Sequence, residues 1–262
     1  MVQLSHISDI ADSHLPRRLM RYILLYCSSG QVNLQVDGKA LTLHPGEVVT
    51  ITSGQIHHYT TGENTTGYVL EFSLDFFCKD DKDIELIFHN GLFCHFDQNE
   101  VIAVDAPLVE GQLALIYEEL IDRPYQYLIS VHSRITLLLV AINRAKVQRG
   151  DEIWKPDALF LKFLEAVRHN FAHNYPVSKF AEMLGATEIK LNELARLHAG
   201  KTAQHVVYGL ITSEAKRLLI YSDISIKEAA YTLGFNDPYY FSNFFKKQTG
   251  MSPKAFKEQY GR

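Results

Sequence analysis

The sequence is poor in the residues that usually announce a covalent or metal-bearing site. Its three cysteines, Cys27, Cys78 and Cys94, are scattered and lack a C-x-x-C spacing, so neither a disulfide framework nor a zinc knuckle is expected. Free thiols in a reducing compartment are the expected state. No apolar run approaches the roughly 18 residues of a membrane span; Leu137–Ile142 is only six residues long. The opening stretch, MVQLSHISDIADSH, is polar and acidic, unlike a secretory signal, so a cytoplasmic protein with no membrane partner is expected. A surplus of positive charge is missing too: 26 Lys+Arg face 30 Asp+Glu, a net charge of −4. That balance excludes a uniformly basic nucleic-acid binder.

The charge is unevenly placed, however. Residues 1–150 hold 11 basic against 18 acidic side chains (net −7), while residues 151–262 hold 15 against 12 (net +3). With 262 residues and 47% apolar content, the chain has material for two domains with separate cores. An acidic half followed by a modestly basic one fits a protein that presents one end to phosphate.

From about Arg21 to Ser73 the pattern has the two-residue period of strands. Val32, Leu34 and Val36 alternate with Asn33 and Gln35, and Asp37-Gly38 makes a hairpin turn into Ala40–Leu43. Further short strands, Val48–Thr52, His57–Tyr59 and Tyr68–Phe72, are separated by Gly-containing turns, the signature of a barrel or sandwich. Beyond Pro107 the period becomes helical: Leu113, Ile116, Tyr117 and Leu120 share a face, and Tyr127–Lys146 is apolar and free of Gly and Pro. Pro124 is expected at the start of that second helix. The apolar surface of helices at about 107–122 and 125–146 points to a homodimer, with packing only within the chain as the alternative. The polar stretch Gln148–Pro156 is the expected linker between domains at 1–148 and 155–262.

The last eighty or so residues write one pattern twice. Ala181-Glu-Met-Leu-Gly185 is followed fifteen positions later by Gly200-Lys-Thr202, and Ala230-Tyr-Thr-Leu-Gly234 sixteen positions later by Gly250-Met-Ser252. Each copy reads as helix, turn at Gly, second helix and closing Gly, the outline of a helix-turn-helix. Thr187 is placed to cap a helix, Ser225-x-x-Glu228 has capping-box spacing, and Asp237-Pro238 and Ser252-Pro253 place a capping side chain before a first-turn proline. A helix at about Ala203–Tyr221 must join the copies.

The segment Ile226–Phe256, with its Gly234-Phe235, Asp237-Pro238-Tyr239-Tyr240-Phe241-Ser242 and Gly250-Met251-Ser252-Pro253 positions, resembles the AraC/XylS family of bacterial transcription regulators; Glu214–Leu219 resembles its joining helix, and Val177–Thr202 matches more loosely. Pro45-Gly46-Glu47 and Gly54-Gln55-Ile56-His57 resemble the cupin-like sensor domains that precede many such readers. The resemblance implies an α+β two-domain chain: a cupin-like β-barrel with a helical hairpin, then an all-α, seven-helix tandem helix-turn-helix domain. It implies double-stranded DNA as partner, a small-molecule effector in the barrel, and RNA polymerase as a further partner of an activator.

In the second recognition helix Phe241, Phe244 and Phe245 form the expected core face, which leaves Pro238 at the helix start and Tyr239, Ser242, Asn243, Lys246 and Lys247 toward DNA. In the first, Leu191, Leu194 and Ala195 turn inward and leave Lys190, Asn192, Glu193 and Arg196 outside. Glu193 and Asn243 stand where many relatives carry arginine, so base preferences do not transfer. For the effector, Arg21, Tyr26, His57, Tyr59 and Glu71 are the candidate lining of the barrel mouth. His57 lacks the H-x-H and Glu partners of a cupin metal site, so no metal, cofactor or catalytic residue is expected. Two alternatives stay open: a ligand-independent regulator with an architectural barrel, and a cupin enzyme carrying a DNA-binding domain.

Overall fold

The computed structural model describes residues 1–10, 13–88, 92–93, 100–150 and 157–260, which leaves Cys94 and residues 151–156 of the expected linker outside the described residues. The chain divides into two compact units, Met1–Lys155 and Pro156–Arg262.

In the first unit the alternating segments become β3 (Tyr22–Ser29), β4 (Val32–Val36), β5 (Lys39–Leu43), β6 (Glu47–Ile51), β7 (Ile56–Thr61) and β8 (Thr66–Phe72). Three further strands, β1 (Val2–His6), β2 (Arg17–Arg18) and β9 (Val101–Ala103), complete two antiparallel sheets with orders β1-β8-β3-β6-β9 and β2-β7-β4-β5. Ile23, Leu25, Cys27, Val49, Ile51 and Val69 from the first sheet meet Val32, Leu34, Val36, Leu43 and Tyr59 from the second in one apolar cluster. Residues of opposite parity on the five-stranded sheet face the other way, and helices cover them. Tyr22 packs edge-on against Phe88 and Phe93, and Phe72 lies against Phe77. Phe88 and Phe77 belong to two short helices absent from the sequence reading, α2 (Asp81–Phe88) and α1 (Leu74–Phe77).

The helical hairpin comprises α3 (Ala106–Asp122) and α4 (Tyr127–Gln148). Asp105 caps α3 by accepting from the Leu108 N–H, with Pro107 in its first turn. Pro124 does not open α4 as expected. It sits in the connecting turn, where Arg123 (φ 48°) and Gln126 (φ 59°) both take left-handed conformations, and α4 starts only after Gln126. By length and composition α4 could cross a membrane, although its longest apolar run is short. Its Val131, Ile135, Leu138, Leu139 and Ile142 are buried within the first unit, and it carries His132, Arg134, Arg144 and Lys146, which describes a core helix.

The second unit is helical: α5 (Ala158–His169), α6 (Val177–Met183), α7 (Glu188–Ala199), α8 (Ala203–Tyr221), α9 (Ile226–Thr232), α10 (Pro238–Thr249) and α11 (Pro253–Tyr260). α6–α7 and α9–α10 are the two helix-turn-helix units, and both pack on α8. Thr187 accepts from the Lys190 N–H, Ser225 and Glu228 form the reciprocal capping box, and Asp237 accepts from the Tyr239 N–H. Gly200 (φ 64°) and Gly250 (φ 80°) close the recognition helices in the left-handed conformation.

Candidate nucleic-acid interface and barrel interior

Each recognition helix is built by burying one face. On α10, Phe241 and Phe245 enter a cluster with Leu218, Leu219, Ala230, Leu233 and Phe256. Phe244 is half-buried and packs edge-on against Tyr208 of α8 at 5.3 Å, so α10 is anchored to the joining helix along its length. The opposite face leaves Tyr239, Asn243, Lys246 and Lys247 exposed, with Pro238 and Ser242 half-buried. The Ser242 hydroxyl donates to the Pro238 carbonyl at 2.8 Å, so a base contact there must use its oxygen as acceptor or break that bond. Tyr240, which the sequence reading omitted, is 68% exposed beside Tyr239 and extends the stripe with a second aromatic ring.

On α7, Leu191, Leu194 and Ala195 are buried while Lys190, Glu193 and Arg196 are exposed. Asn192 stands apart from them. Its amide donates to the Glu188 carbonyl at 3.0 Å and its oxygen accepts from the Ala203 N–H at 3.1 Å, tying α7 to the first turn of α8. Helical phase alone assigned it to the outer face, yet both ends of its amide serve the fold. Two apolar residues also stand on the outside of α7, Ile189 (73% exposed) and Leu197.

Strand parity sorts the five barrel candidates differently from the sequence reading. His57, Tyr59 and Glu71 share parity with core residues and point between the sheets. Tyr26 does not. It lies on the outer face of the five-stranded sheet toward Glu110 of α3, where burial and that carboxylate push its phenol up to about 12. Arg21 forms an ion pair with Glu71 at 2.7 Å, so those two satisfy one another.

Arg17 is the residue that the sequence reading missed. It faces His57 across the β2–β7 pair, and its Nε donates to His57 Nε2 at 3.1 Å. Burial, aided by Arg17, lowers the His57 pKa to about 4. The ring is thus neutral near pH 7, with Nε2 accepting and Nδ1 left to donate to the Gln55 carbonyl at 3.3 Å. The Arg17 guanidinium also sits 5.7 Å from the centre of the Tyr59 ring. Burial pushes the Tyr59 phenol up to about 12 against the opposing pull of Arg17. Among the described residues no group of three or more His, Cys, Asp or Glu is arranged to hold a metal ion.

Comparison with known proteins bears on both regions. Residues 5–126 match the model of the AraC-like ligand binding domain, and residues 180–259 match a helix-turn-helix domain model. The xylose operon regulatory protein of Haemophilus influenzae is 32% identical over 101 residues, covering 38% of this chain and 26% of that protein. The HTH-type transcriptional activator RhaS of Escherichia fergusonii is 28% identical over 121 residues, covering 46% of this chain and 43% of that protein. The matches thus span from about a quarter to less than half of the length of these curated relatives. A solved structure of unsaturated fatty acid bound ToxT from Vibrio cholerae aligns over 98% of this chain and 94% of that one, at 14% identity and a TM-score of 0.41.

Proposed function

We propose that the chain is a sequence-specific, DNA-binding transcription regulator of the AraC family, acting in the cytoplasm and controlled by a small-molecule effector in its barrel. The observation that carries the DNA-binding part is the pairing of two capped recognition helices on one joining helix, each with a buried apolar face and an exposed polar one. In this reading α7 and α10 enter successive major grooves about 34 Å apart on one side of the duplex. Asn243 reads a base edge; Lys246 and Lys247 contact phosphate; Tyr239 and Tyr240 pack on sugar or on thymine methyl groups. Glu193 accepts from cytosine N4 or adenine N6, while Lys190 and Arg196 hold the adjacent backbone.

The effector part rests on the polar groups that strand parity turns into the barrel, His57, Tyr59, Glu71 and Arg17. Its occupancy biases two arrangements of the regulator unequally. Exposed Leu108, Leu115 and Ile121 on α3, with Leu128, Ile129 and Leu137 on α4, are the proposed homodimer surface. RhaS and RhaR are named as activators, so contact with RNA polymerase is the proposed output.

Selection of genomic fragments by the purified full chain at near-physiological salt tests this reading. The expected result is a recurrent motif with two blocks one helical turn apart. Retention of fragments without any shared motif contradicts sequence-specific recognition.

A further inference from the structure

We propose that Ile189 is a specificity-determining residue of α7, selecting a thymine by its methyl group one or two base pairs from the base that Glu193 contacts. This deepens the DNA-binding reading above and rests on it. The two recognition helices stand in register at a constant offset of 50 residues (187 to 237, 200 to 250). The N-caps Thr187 and Asp237, the helix bounds Glu188–Ala199 and Pro238–Thr249, and the left-handed closing residues Gly200 and Gly250 all obey it. Burial follows the same register. Leu191 matches Phe241 and Ala195 matches Phe245 inside; Glu193 matches Asn243 and Arg196 matches Lys246 outside. Ile189 therefore occupies the place of Tyr239, and the two are 73% and 69% exposed.

A single exposed apolar side chain needs no explanation by itself; its register with Tyr239 is what puts Ile189 on the reading face. Ile189, Glu193 and Arg196 fall at i, i+4 and i+7, one stripe of the helix, as Tyr239, Asn243 and Lys246 do. Ile189 lies in the first turn of α7, and it is the N-terminal part of a recognition helix that meets base edges. Its side chain has no donor or acceptor, so it discriminates only by apolar contact. The major-groove edges offer one apolar group for that purpose, the C5-methyl of thymine. Side chains at i and i+4 stand about 5–6 Å apart, between one and two base steps of roughly 3.4 Å. Leu197 is as exposed, at 74%, but it stands toward the far end of α7 in the place of Lys247, away from the base-reading turn.

Selection from a random duplex library by the full chain and by Ile189→Ala, followed by uracil substitution in the selected site, tests this. The unaltered chain should select a fixed thymine in one block, and Ile189→Ala should lose that thymine alone. Uracil at that position removes the methyl and keeps every hydrogen-bonding group, so it should weaken binding of the unaltered chain roughly four-fold, the worth of one buried methyl. Ile189→Ala should bind the thymine and uracil sites equally, with its unfolding temperature and its affinity for random DNA unchanged. Ile189→Val keeps a branched apolar tip and should still prefer thymine. A motif that Ile189→Ala leaves unchanged, or an equal uracil penalty in the unaltered chain and in Ile189→Ala, would overturn the proposal and leave the DNA-binding reading standing. Absence of any shared motif with the unaltered chain would contradict that reading, and this inference with it.

Discussion

The two helix-turn-helix units share one outline but differ in how tightly the chain dictates them. In the second, Gly234 (φ 73°) turns between α9 and α10 against the loop at residues 172–174, and a Cβ there would lie 2.6 Å from the Ala172 carbonyl oxygen. In the first, Gly185 (φ 61°) makes the corresponding turn with nothing within 4 Å of the same position. The second unit adds a reciprocal capping box and a phenylalanine cluster; the first relies on Asn192 to fasten α7 to α8. A family pattern is thus written most legibly where backbone and side chains are packed on every side. A unit whose turn is open has more sequences available to it.

The largest expected effect separates the two turns. Gly234→Ala meets both a left-handed backbone and a carbonyl contact, and should destabilise the second unit by about 3 kcal/mol or more, whereas Gly185→Ala should cost about 1 kcal/mol. Chemical denaturation of both variants checks this, and equal losses would dissolve the contrast. Next is Asn243→Ala, which should cost roughly 1–3 kcal/mol on the preferred site and little on random DNA. Competition binding decides that, since an equal loss on both substrates assigns Asn243 to backbone contact. Asn192→Ala should differ in kind. Loss of the tie between α7 and α8 should lower stability by about 1 kcal/mol, measured by thermal unfolding without DNA.

Acidification offers a gentler way to pull the units apart. His198, near the end of α7, accepts the Asp157 N–H through Nε2 at 3.2 Å and lies against Phe160; burial lowers its pKa against the pull of Asp157. A lowered histidine pKa means that the unfolded chain takes up protons first. The first unit should therefore be fully stable above about 6.5, the ordinary histidine value, and weaken as pH falls below it. Glu228 in the second unit has its pKa lowered by the Ser225 N–H, so its contribution persists above about 4.3 and fades only below that. Amide exchange at pH 5.5 should show α7 loosening before α9, and His198→Gln should abolish that order.

Much of this architecture is legible in the sequence, and the exceptions have identifiable causes. Strands β4 and β5, the helix caps and the closing glycines depend on neighbours within a few residues, so local pattern suffices. β1 escapes because its partner is β8, with Val2 opposite Phe72, far along the chain. Tyr26 was misplaced because both faces of β3 are buried, which erases the alternation that would have assigned it to the outer face. Arg17 sits on a two-residue strand whose meaning appears only when β7 lies beside it, 40 residues away in sequence. Asn192 was placed outward by helical phase; the neighbouring helix that uses its amide lies beyond any local window.

The most direct test of the tandem reader is to repeat the fragment selection with three proteins: the unaltered chain, Glu193→Ala and Asn243→Ala. Two recognition helices on one scaffold predict a two-block motif in which Glu193→Ala relaxes one block and Asn243→Ala the other, with spacing unchanged. A single block, or both substitutions relaxing the same block, would contradict the claim that α7 and α10 each read the duplex.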